Sequence, residues 1–232
     1  MHTNTPLISI ILCTFNRKRT LPAAIDSVLC QTHSDWELVI VDDGSRDGTE
    51  RILKRYAQKE PRIRFIRQSN KGLALARNAG IRLARGRYVT FLDSDDEYTP
   101  RHIAKRMKFL RSHPDVDAVL GGMKIIGPVV QRFVPDVDHP GKRIHVSRCH
   151  AAGTLVVTRT ILRALGGFRR LAFSEDYDMI KRLQRKYTVR RVSFKTYIYN
   201  VGGADRLCRI FEQGGAEGIR RFRRKGTVMR RA

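Results

Sequence analysis

Two aspartates separated by one residue follow a strand-like apolar run near the middle of the chain. Residues 88–92 form that run, and residues 93–96 (Asp-Ser-Asp-Asp) come directly after it. In a turn, carboxylates at positions i and i+2 can converge on one divalent cation. Mg²⁺ and Mn²⁺ prefer oxygen ligands and share their coordination with substrate phosphates. An acidic surface turn could have the same composition, but the position after a buried strand favours a metal and nucleotide site.

Two further acidic clusters could take part in chemistry. Residues 42–45 (Asp-Asp-Gly-Ser) end another apolar run, where a carboxylate can accept a hydrogen bond from a nucleobase or a ribose hydroxyl. Taken alone, this segment is better explained as a turn that caps the next helix. Residues 175–178 (Glu-Asp-Tyr-Asp) follow Ser174, a residue type that begins helices. Those acids could therefore be charges that a helix dipole favours.

The elements that must position these acids alternate between strand and helix in the first half of the chain. Apolar runs typical of buried strands occupy residues 7–12, 36–41, 63–66 and 88–92, with helix-like apolar spacing after the first three. Such alternation predicts an α/β fold with a parallel sheet covered on both faces. Ligands of these sheets bind beyond the carboxyl ends of the strands. We therefore expect residues 14–16, 42–45 and 93–95 to meet at one edge.

The second half is less regular. The patterns predict a strand over residues 116–126, a long loop over 127–148, and a strand over 154–158 followed by a helix that ends at Gly166-Gly167. A further helix is expected from Ser174 through Tyr187.

Composition narrows the class of protein. The 232 residues include 46 Lys and Arg against 22 Asp and Glu, a net charge of +24, which attracts nucleic acid, phosphorylated ligands or an anionic membrane surface. No apolar run approaches the length of a membrane-spanning helix, and the polar first six residues do not resemble a secretory signal. The four cysteines lie far apart, which argues against a zinc site or a disulfide framework. We expect a cytoplasmic protein.

Four motifs together resemble glycosyltransferase family 2. They are residues 7–17, 41–49, 70–80 and 91–96, which occur in the order and spacing typical of that family. With Gly166-Gly167-Phe168 and Glu175-Asp176, the resemblance extends from residue 7 to about residue 200. It implies the GT-A fold, a Rossmann-like nucleotide-diphospho-sugar transferase fold with a central, mostly parallel sheet. It also implies a nucleotide-diphosphate sugar as donor, with Mn²⁺ or Mg²⁺ as cofactor and inversion at the anomeric carbon.

The resemblance assigns roles to individual residues. Asp176 would be the catalytic base and Asp95 the metal ligand. The nucleotide sugar would be bound by Thr14, Phe15, Asp42, Asp43, Arg77, Asp93 and Ser94. Either Asp43 or Asp42 would recognise the nucleobase of the donor. Arg77 would lie near the base and pyrophosphate, with a solubilising position on a helix face as the alternative.

The resemblance also divides the chain. Residues 1–126 would form the nucleotide-sugar-binding half, residues 127–205 the half that holds acceptor and base, and residues 206–232 a basic tail. The tail could be a helix that binds anionic lipid or a solvated extension.

Arg169-Arg170, where the family often has an acid, weakly suggests an anionic acceptor. Residues 199–203 lack the histidine of many members, which leaves a third metal ligand open.

The sequence thus predicts an inverting, metal-dependent transferase that moves one sugar from a UDP-sugar to an acceptor hydroxyl. The acceptor would be a glycan or lipid-linked molecule of cell-envelope polysaccharide, lipopolysaccharide or glycolipid synthesis. Peripheral binding to the inner face of the membrane stays open. The alternatives are a catalytically silent relative that binds nucleotide sugar, or a protein that binds polyanions. Specific nucleic-acid binding is disfavoured because the acidic clusters would repel a phosphate backbone and no RNA-binding or zinc-finger motif occurs.

Overall fold

A computed structural model of the chain describes residues 7–139, 141–171, 174–202 and 206–225. Strands and helices alternate regularly up to the acidic turn after residue 92. These elements are β1 (Ile8–Thr14), α1 (Leu21–Leu29), β2 (Trp36–Asp42), α2 (Thr49–Lys59), β3 (Ile63–Arg67), α3 (Leu73–Leu83) and β4 (Tyr88–Asp93). The four strands predicted for this half are therefore confirmed, each with ends shifted by at most two residues.

The second half contains shorter strands. Its elements are β5 (Glu97–Tyr98), α4 (His102–Ser112), β6 (Ala118–Leu120), β7 (Met123–Ile126), β8 (Phe133–Pro135), β9 (Arg143–His145), β10 (Val156–Thr158), α5 (Arg159–Ala164), α6 (Glu175–Lys186), β11 (Val189–Arg191), β12 (Tyr197–Asn200) and α7 (Leu207–Lys225). Helix α7 is interrupted at Gly215, whose φ of 54° and ψ of −151° are not helical. The predicted tail thus begins as a helix, whereas residues 226–232 lie outside the described range.

The main sheet has seven strands in the order β11-β6-β10-β4-β1-β2-β3. All neighbours run parallel except β10, which is antiparallel to both β4 and β6. Strand β1 lies near the centre and is buried throughout because its side chains enter two cores. One core receives Ile10 together with α1, α2 and α4, and the other receives Ile11 together with α3, α5 and α6. The predicted α/β fold with a mostly parallel, doubly covered sheet is confirmed.

The strand order brings the predicted acidic segments to one edge. Strand β1 is flanked by β2 and β4, and all three run in the same direction. In this register Thr14 is paired with Asp42, and Cys13 is paired with Asp93. The carboxyl ends of β1, β2 and β4 therefore lie together at one edge of the sheet, and the predicted acidic segments lie at that edge.

Residues 116–126 do not form the single strand that their apolar character predicted. They form β6 and β7, which belong to different sheets; β7 joins β5 and β12 in a three-stranded sheet. Gly121 and Gly122 separate the two strands with φ angles of 97° and 78°. A Cβ atom at Gly122 would overlap the carbonyl oxygen of Phe194. The two glycines therefore allow a turn that a continuous strand could not make.

Residues 127–148 are not a plain loop either. They contain the antiparallel pair β8–β9, in which Val134 lies opposite Ile144. Val134 packs with Val146 and Val201 in a small separate core. Two strands of three residues each carry too little periodicity to be recognised in the sequence. No helix in the described part of the chain is both long and apolar enough to span a bilayer.

Candidate active site

A cavity of about 250 Å³ opens at the carboxyl edge of the sheet. The ends of β1, β2 and β4 form one wall, the first turn of α6 forms another, and the segment from β7 to residue 151 faces them. The predicted site residues that line it are Thr14, Phe15, Asp43, Arg77, Asp93, Ser94, Asp95 and Asp176. The structure thus brings eight of the nine predicted residues to one cavity, including residues 162 positions apart in the chain.

Asp42 is the predicted residue that does not line the cavity. Its side chain is fully buried behind the strand end, and its Oδ1 accepts a hydrogen bond from the Ser45 amide at 3.0 Å. Burial raises the pKa of this carboxyl. Asp43 lines the cavity instead and accepts hydrogen bonds from the amides of Lys71 at 2.9 Å and Gly72 at 2.8 Å. Of the two candidates for binding a base, only Asp43 lines the cavity.

Thr14 supports a ligand position beside Asp43. The threonine is almost completely buried, and its Oγ1 has no hydrogen-bond partner in the described structure. A buried hydroxyl without a partner is unfavourable, so a group bound in the cavity would complete its bonding. Together with Phe15, which also lines this side, Thr14 and Asp43 could hold a planar polar ring.

Arg77 connects two of the acidic clusters. Its side chain is 3% exposed, and its guanidinium donates to Asp93 Oδ1 at 2.8 Å and to Glu175 Oε1 at 2.9 Å. The guanidinium also lies 5.2 Å from the ring centroid of Phe168. This burial excludes the alternative that Arg77 merely solubilises a helix face. Its charge holds the end of β4 against the start of α6.

Asp176 enters the cavity from the first turn of α6. Its Oδ1 accepts a hydrogen bond from the Tyr177 amide at 2.8 Å. Burial, together with the adjacent Glu175 carboxylate, raises the pKa of Asp176 to about 7, and the Arg77 cation opposes this shift. A carboxylate whose pKa lies near neutrality can take up a proton during a reaction at neutral pH.

The aspartates at the end of β4 and in the turn that follows it have different partners. Asp93 and Asp95 line the cavity, and Oδ2 of Asp95 lies 3.7 Å from Arg17. Burial is the main cause that raises the pKa of Asp95. Asp96 is buried and accepts hydrogen bonds from the Tyr197 hydroxyl at 2.7 Å and the Asn200 amide at 2.8 Å. Strand β12 therefore holds the acidic turn in place.

The donor set fits a divalent cation that is shared with a bound phosphate. Asp93 and Asp95 offer carboxylate oxygens to the same cavity, which are the ligands that Mg²⁺ and Mn²⁺ prefer. No group of three or more His, Cys, Asp or Glu that could hold a metal occurs among the described residues. Two carboxylates leave coordination positions open, which suits a cation that binds together with the substrate's diphosphate.

Arg206 is a cavity residue that the sequence analysis missed. It immediately precedes α7, is 8% exposed, and places its guanidinium 4.6 Å from the ring centroid of Tyr199. No carboxylate within the described ranges lies within 4.0 Å of its nitrogens. A buried cation without a close carboxylate favours binding of an anion. No local pattern marks Arg206, because one arginine does not stand out among 46 basic residues.

Part of the cavity lining is apolar, although Asp136 lies between two of its members. The apolar part is formed by Met123, Val134, Pro135, Val137, Ile144, Val146 and Tyr199. The cavity thus joins a charged half, able to hold a phosphorylated ligand, to an apolar half.

Known proteins share sequence similarity with most of this chain. The sequence profile of Glycosyl transferase family 2 matches residues 9–164, about two thirds of the chain. The chain is 36% identical over 183 residues to EpsE of Bacillus subtilis (strain 168), which carries the name of a glycosyltransferase. That match covers 75% of this chain and 65% of EpsE, so the chain spans slightly less than two thirds of this relative.

Solved structures show the same fold. S. aureus TarS 1-349 in complex with UDP-GlcNAc has a TM-score of 0.70 at 21% identity, covering 86% of this chain and 60% of that one. The mannosyltransferase PcManGT from Pyrobaculum calidifontis, in complex with GDP-Man and Mn²⁺, has a TM-score of 0.70 at 22% identity, covering 98% and 67%. Both likenesses concern the fold, because the sequences have diverged widely.

Proposed function

The chain belongs to glycosyltransferase family 2, and on that premise we propose that it transfers one sugar from a nucleotide-diphosphate sugar to an acceptor hydroxyl. The proposal is an inverting reaction with a divalent cation as cofactor and Asp176 as the base. The observation that carries it is the shared cavity of Asp176, Asp93 and Asp95. A proton acceptor and a site for a charged leaving group are the two requirements of such a transfer.

The proton goes to Asp176. The acceptor hydroxyl oxygen attacks the anomeric carbon while its proton moves to the Asp176 carboxylate, whose pKa of about 7 suits that role. The bond between the anomeric carbon and the diphosphate oxygen breaks as the new bond forms, and the electron pair leaves with the diphosphate. In the transition state the sugar carries oxocarbenium character, as in glycoside hydrolysis. One displacement from the opposite face inverts the anomeric centre.

The leaving diphosphate would bind near Asp93 and Asp95. Asp93 and Asp95 would hold a divalent cation there, which when bound would neutralise charge on the departing diphosphate. Arg206 lines the same cavity and adds a fixed cation. It would donate hydrogen bonds to phosphate oxygens that lack other partners.

We propose a UDP-sugar as the donor. Asp43, Thr14 and Phe15 would bind the base and ribose, since Asp43 is the carboxylate at the end of β2 that reaches the cavity. The complex of the TarS structure with UDP-GlcNAc supports this donor class. GDP-sugars must be tested beside UDP-sugars, because PcManGT was solved with GDP-Man.

The acceptor would be a glycan or a lipid-linked molecule of cell-envelope polysaccharide, lipopolysaccharide or glycolipid synthesis. The apolar part of the cavity lining supports an acceptor with an apolar portion. Arg169, expected from the sequence to attract an anionic acceptor, instead forms an ion pair with Asp178 at 3.3 Å. Arg170, which is exposed, stays available for that role.

Thermal unfolding with a panel of ligands tests the donor proposal. Uridine, guanosine and adenosine diphosphate sugars would each be added with and without Mn²⁺, and a short DNA duplex would serve as a polyanion control. A ligand at about 100 times its dissociation constant stabilises the folded state by roughly 2.7 kcal/mol. We expect one nucleotide sugar to stabilise strongly, and more so with Mn²⁺. Equal stabilisation by DNA and every nucleotide, lost in moderate salt, would instead support a polyanion-binding protein.

A further inference from the structure

Exposed apolar side chains are concentrated in one short segment. Among the large apolar residues that are exposed in the described chain, most belong to residues 126–137. They are Ile126, Val129, Val130, Phe133 and Val137. Val129 and Val130 are 66% and 77% exposed at adjacent positions, which is unusual for a protein surface. We call these five side chains the apolar rim.

The backbone that presents the apolar rim is fixed by the fold. Strand β7 pairs with β12 through Ile126, whose carbonyl accepts a hydrogen bond from the Val201 amide at 2.8 Å. Arg132 donates to the Gly127 carbonyl at 3.1 Å, which closes the turn that carries the two valines. Strand β8 then pairs with β9. The apolar rim is thus presented by hydrogen-bonded turns and strands.

Positive charge lies beside part of the apolar rim, whereas two acids, Asp136 and Asp138, flank Val137. Lys124 is exposed and lies two residues before Ile126 on β7, so both side chains lie on the same face of the strand. Helix α7 lies beside the segment, because Glu212 forms an ion pair with Arg143 of β9 at 2.9 Å. By sequence, α7 contains six Lys and Arg against two Glu. An apolar surface beside a basic helix is complementary to a surface that is apolar and anionic at once.

We infer that the apolar rim and α7 together bind an anionic lipid bilayer. Val129 and Val130 would enter the boundary between headgroups and acyl chains, and Lys124 would meet lipid phosphates, while the basic sequence of α7 would add attraction to the anionic surface. A bilayer fits better than a protein partner, since cores of protein interfaces are depleted in lysine and rich in aromatic residues. The apolar rim has one aromatic residue, Phe133.

This surface leads directly to the candidate active site. Val137 belongs to the apolar rim and also lines the cavity, and its neighbours Val134 and Pro135 line it as well. A lipid-linked acceptor could therefore place its polar end beside Asp176 while its apolar portion stays near the bilayer. That statement about the acceptor rests on the proposed function, whereas bilayer binding does not.

Sedimentation with lipid vesicles tests the inference on the full chain. Vesicles of phosphatidylcholine alone are compared with vesicles containing about one third phosphatidylglycerol, a charge density that attracts basic surfaces. We expect wild-type protein to bind the anionic vesicles and to bind the neutral ones much more weakly. The double variant Val129→Asp and Val130→Asp should weaken binding to anionic vesicles by about tenfold or more, since it removes apolar area and adds like charge to the lipid. Leu29→Asp, at an exposed position of α1, is the matched control and should bind like wild type.

Two results would overturn the inference: no binding of wild-type protein to anionic vesicles, or equal binding by the double variant. A double variant that changes only the oligomeric state, measured by light scattering, would assign the apolar rim to contacts between copies of the chain. Nucleotide-induced stabilisation of the double variant shows that it folds and separates the two proposals. If nucleotide stabilises neither protein but vesicle binding differs, the proposed function fails and the bilayer surface stands. A milder variant, Val129→Ser with Val130→Ser, replaces the aspartates if these prevent folding.

Discussion

Arg77 donates a 2.9 Å hydrogen bond to Glu175, a residue 98 positions later in the chain. The same guanidinium holds Asp93, so one buried cation links the end of β4, where the metal ligands are proposed, to the first turn of α6, which carries the proposed base. The distance between Asp176 and the proposed leaving-group site is therefore controlled by a side chain of α3. Its charge also limits how far the pKa of Asp176 rises.

Replacing Arg77 with methionine should destabilise the protein. The change keeps much of the side-chain volume but leaves two carboxylates without their shared cation, which costs about 3 kcal/mol for a buried pair. Thermal unfolding measures the loss. Arg82→Met on the exposed face of the same helix should change stability by less than about 0.5 kcal/mol. Equal stability of the Arg77 and Arg82 variants would contradict a structural link through Arg77.

Replacing Arg206 with alanine should weaken binding of a nucleoside diphosphate while leaving the nucleoside unaffected. Hydrogen bonds to charged groups contribute about 1.5–3 kcal/mol, which corresponds to a rise in Kd of roughly 10- to 100-fold. Calorimetric titration with UDP and with uridine separates the two contributions. Arg148→Ala, at an exposed position, provides the control. If the Arg206 variant loses affinity for uridine and UDP alike, Arg206 supports the pocket rather than the diphosphate.

The pH dependence of transfer should report Asp176. Its carboxyl must be ionised to accept a proton, and burial has raised its pKa to about 7. On this account kcat/KM increases about tenfold per pH unit below pH 7 and levels off above it. Initial rates between pH 5.5 and 8.5 in a constant-ionic-strength buffer measure this. A rate that is independent of pH across that range would exclude a base with this pKa.

Replacing Asp95 with asparagine should remove the effect of Mn²⁺ on nucleotide binding. The amide supplies one neutral oxygen where the carboxylate supplied a charged one, so the cation shared with the diphosphate is held less tightly. The measurement is the difference in Tm shift that UDP causes with and without Mn²⁺. Asp115→Asn, in an exposed turn, should retain the wild-type difference. Retention of the Mn²⁺ effect in the Asp95 variant would move the proposed metal site elsewhere.

The sequence predicted the half of the fold in which each strand has at least five residues. Strands β1 to β4 are long enough for continuous apolar runs to identify them as strands of a covered parallel sheet. Strands β8 and β9 have three residues each, and their pairing depends on Val134 meeting Val146 and Val201 in space. Such a contact between distant segments has no local pattern.

Most residues of the candidate site could be predicted from the sequence. Which of two adjacent side chains faces the cavity could not. Asp42 and Asp43 are adjacent acids, and side chains alternate at the end of a strand, so only one of them reaches the cavity. Which one does so depends on the position of β2 beside β1. Arg206 precedes α7 and reaches the cavity because that helix lies beside β9, a contact between segments that are distant in the sequence.

The rate of sugar transfer by an Asp176→Asn variant tests the proposed role of Asp176 as the base. The asparagine keeps the shape of the side chain but cannot accept the proton. We predict a fall in kcat of about 10²- to 10⁴-fold, with affinity for the nucleotide sugar within twofold of wild type. Asp178→Asn on the same helix, where the carboxylate pairs with Arg182 at 2.7 Å, should keep a nearly wild-type rate. A nearly wild-type rate for the Asp176 variant would contradict the proposed base.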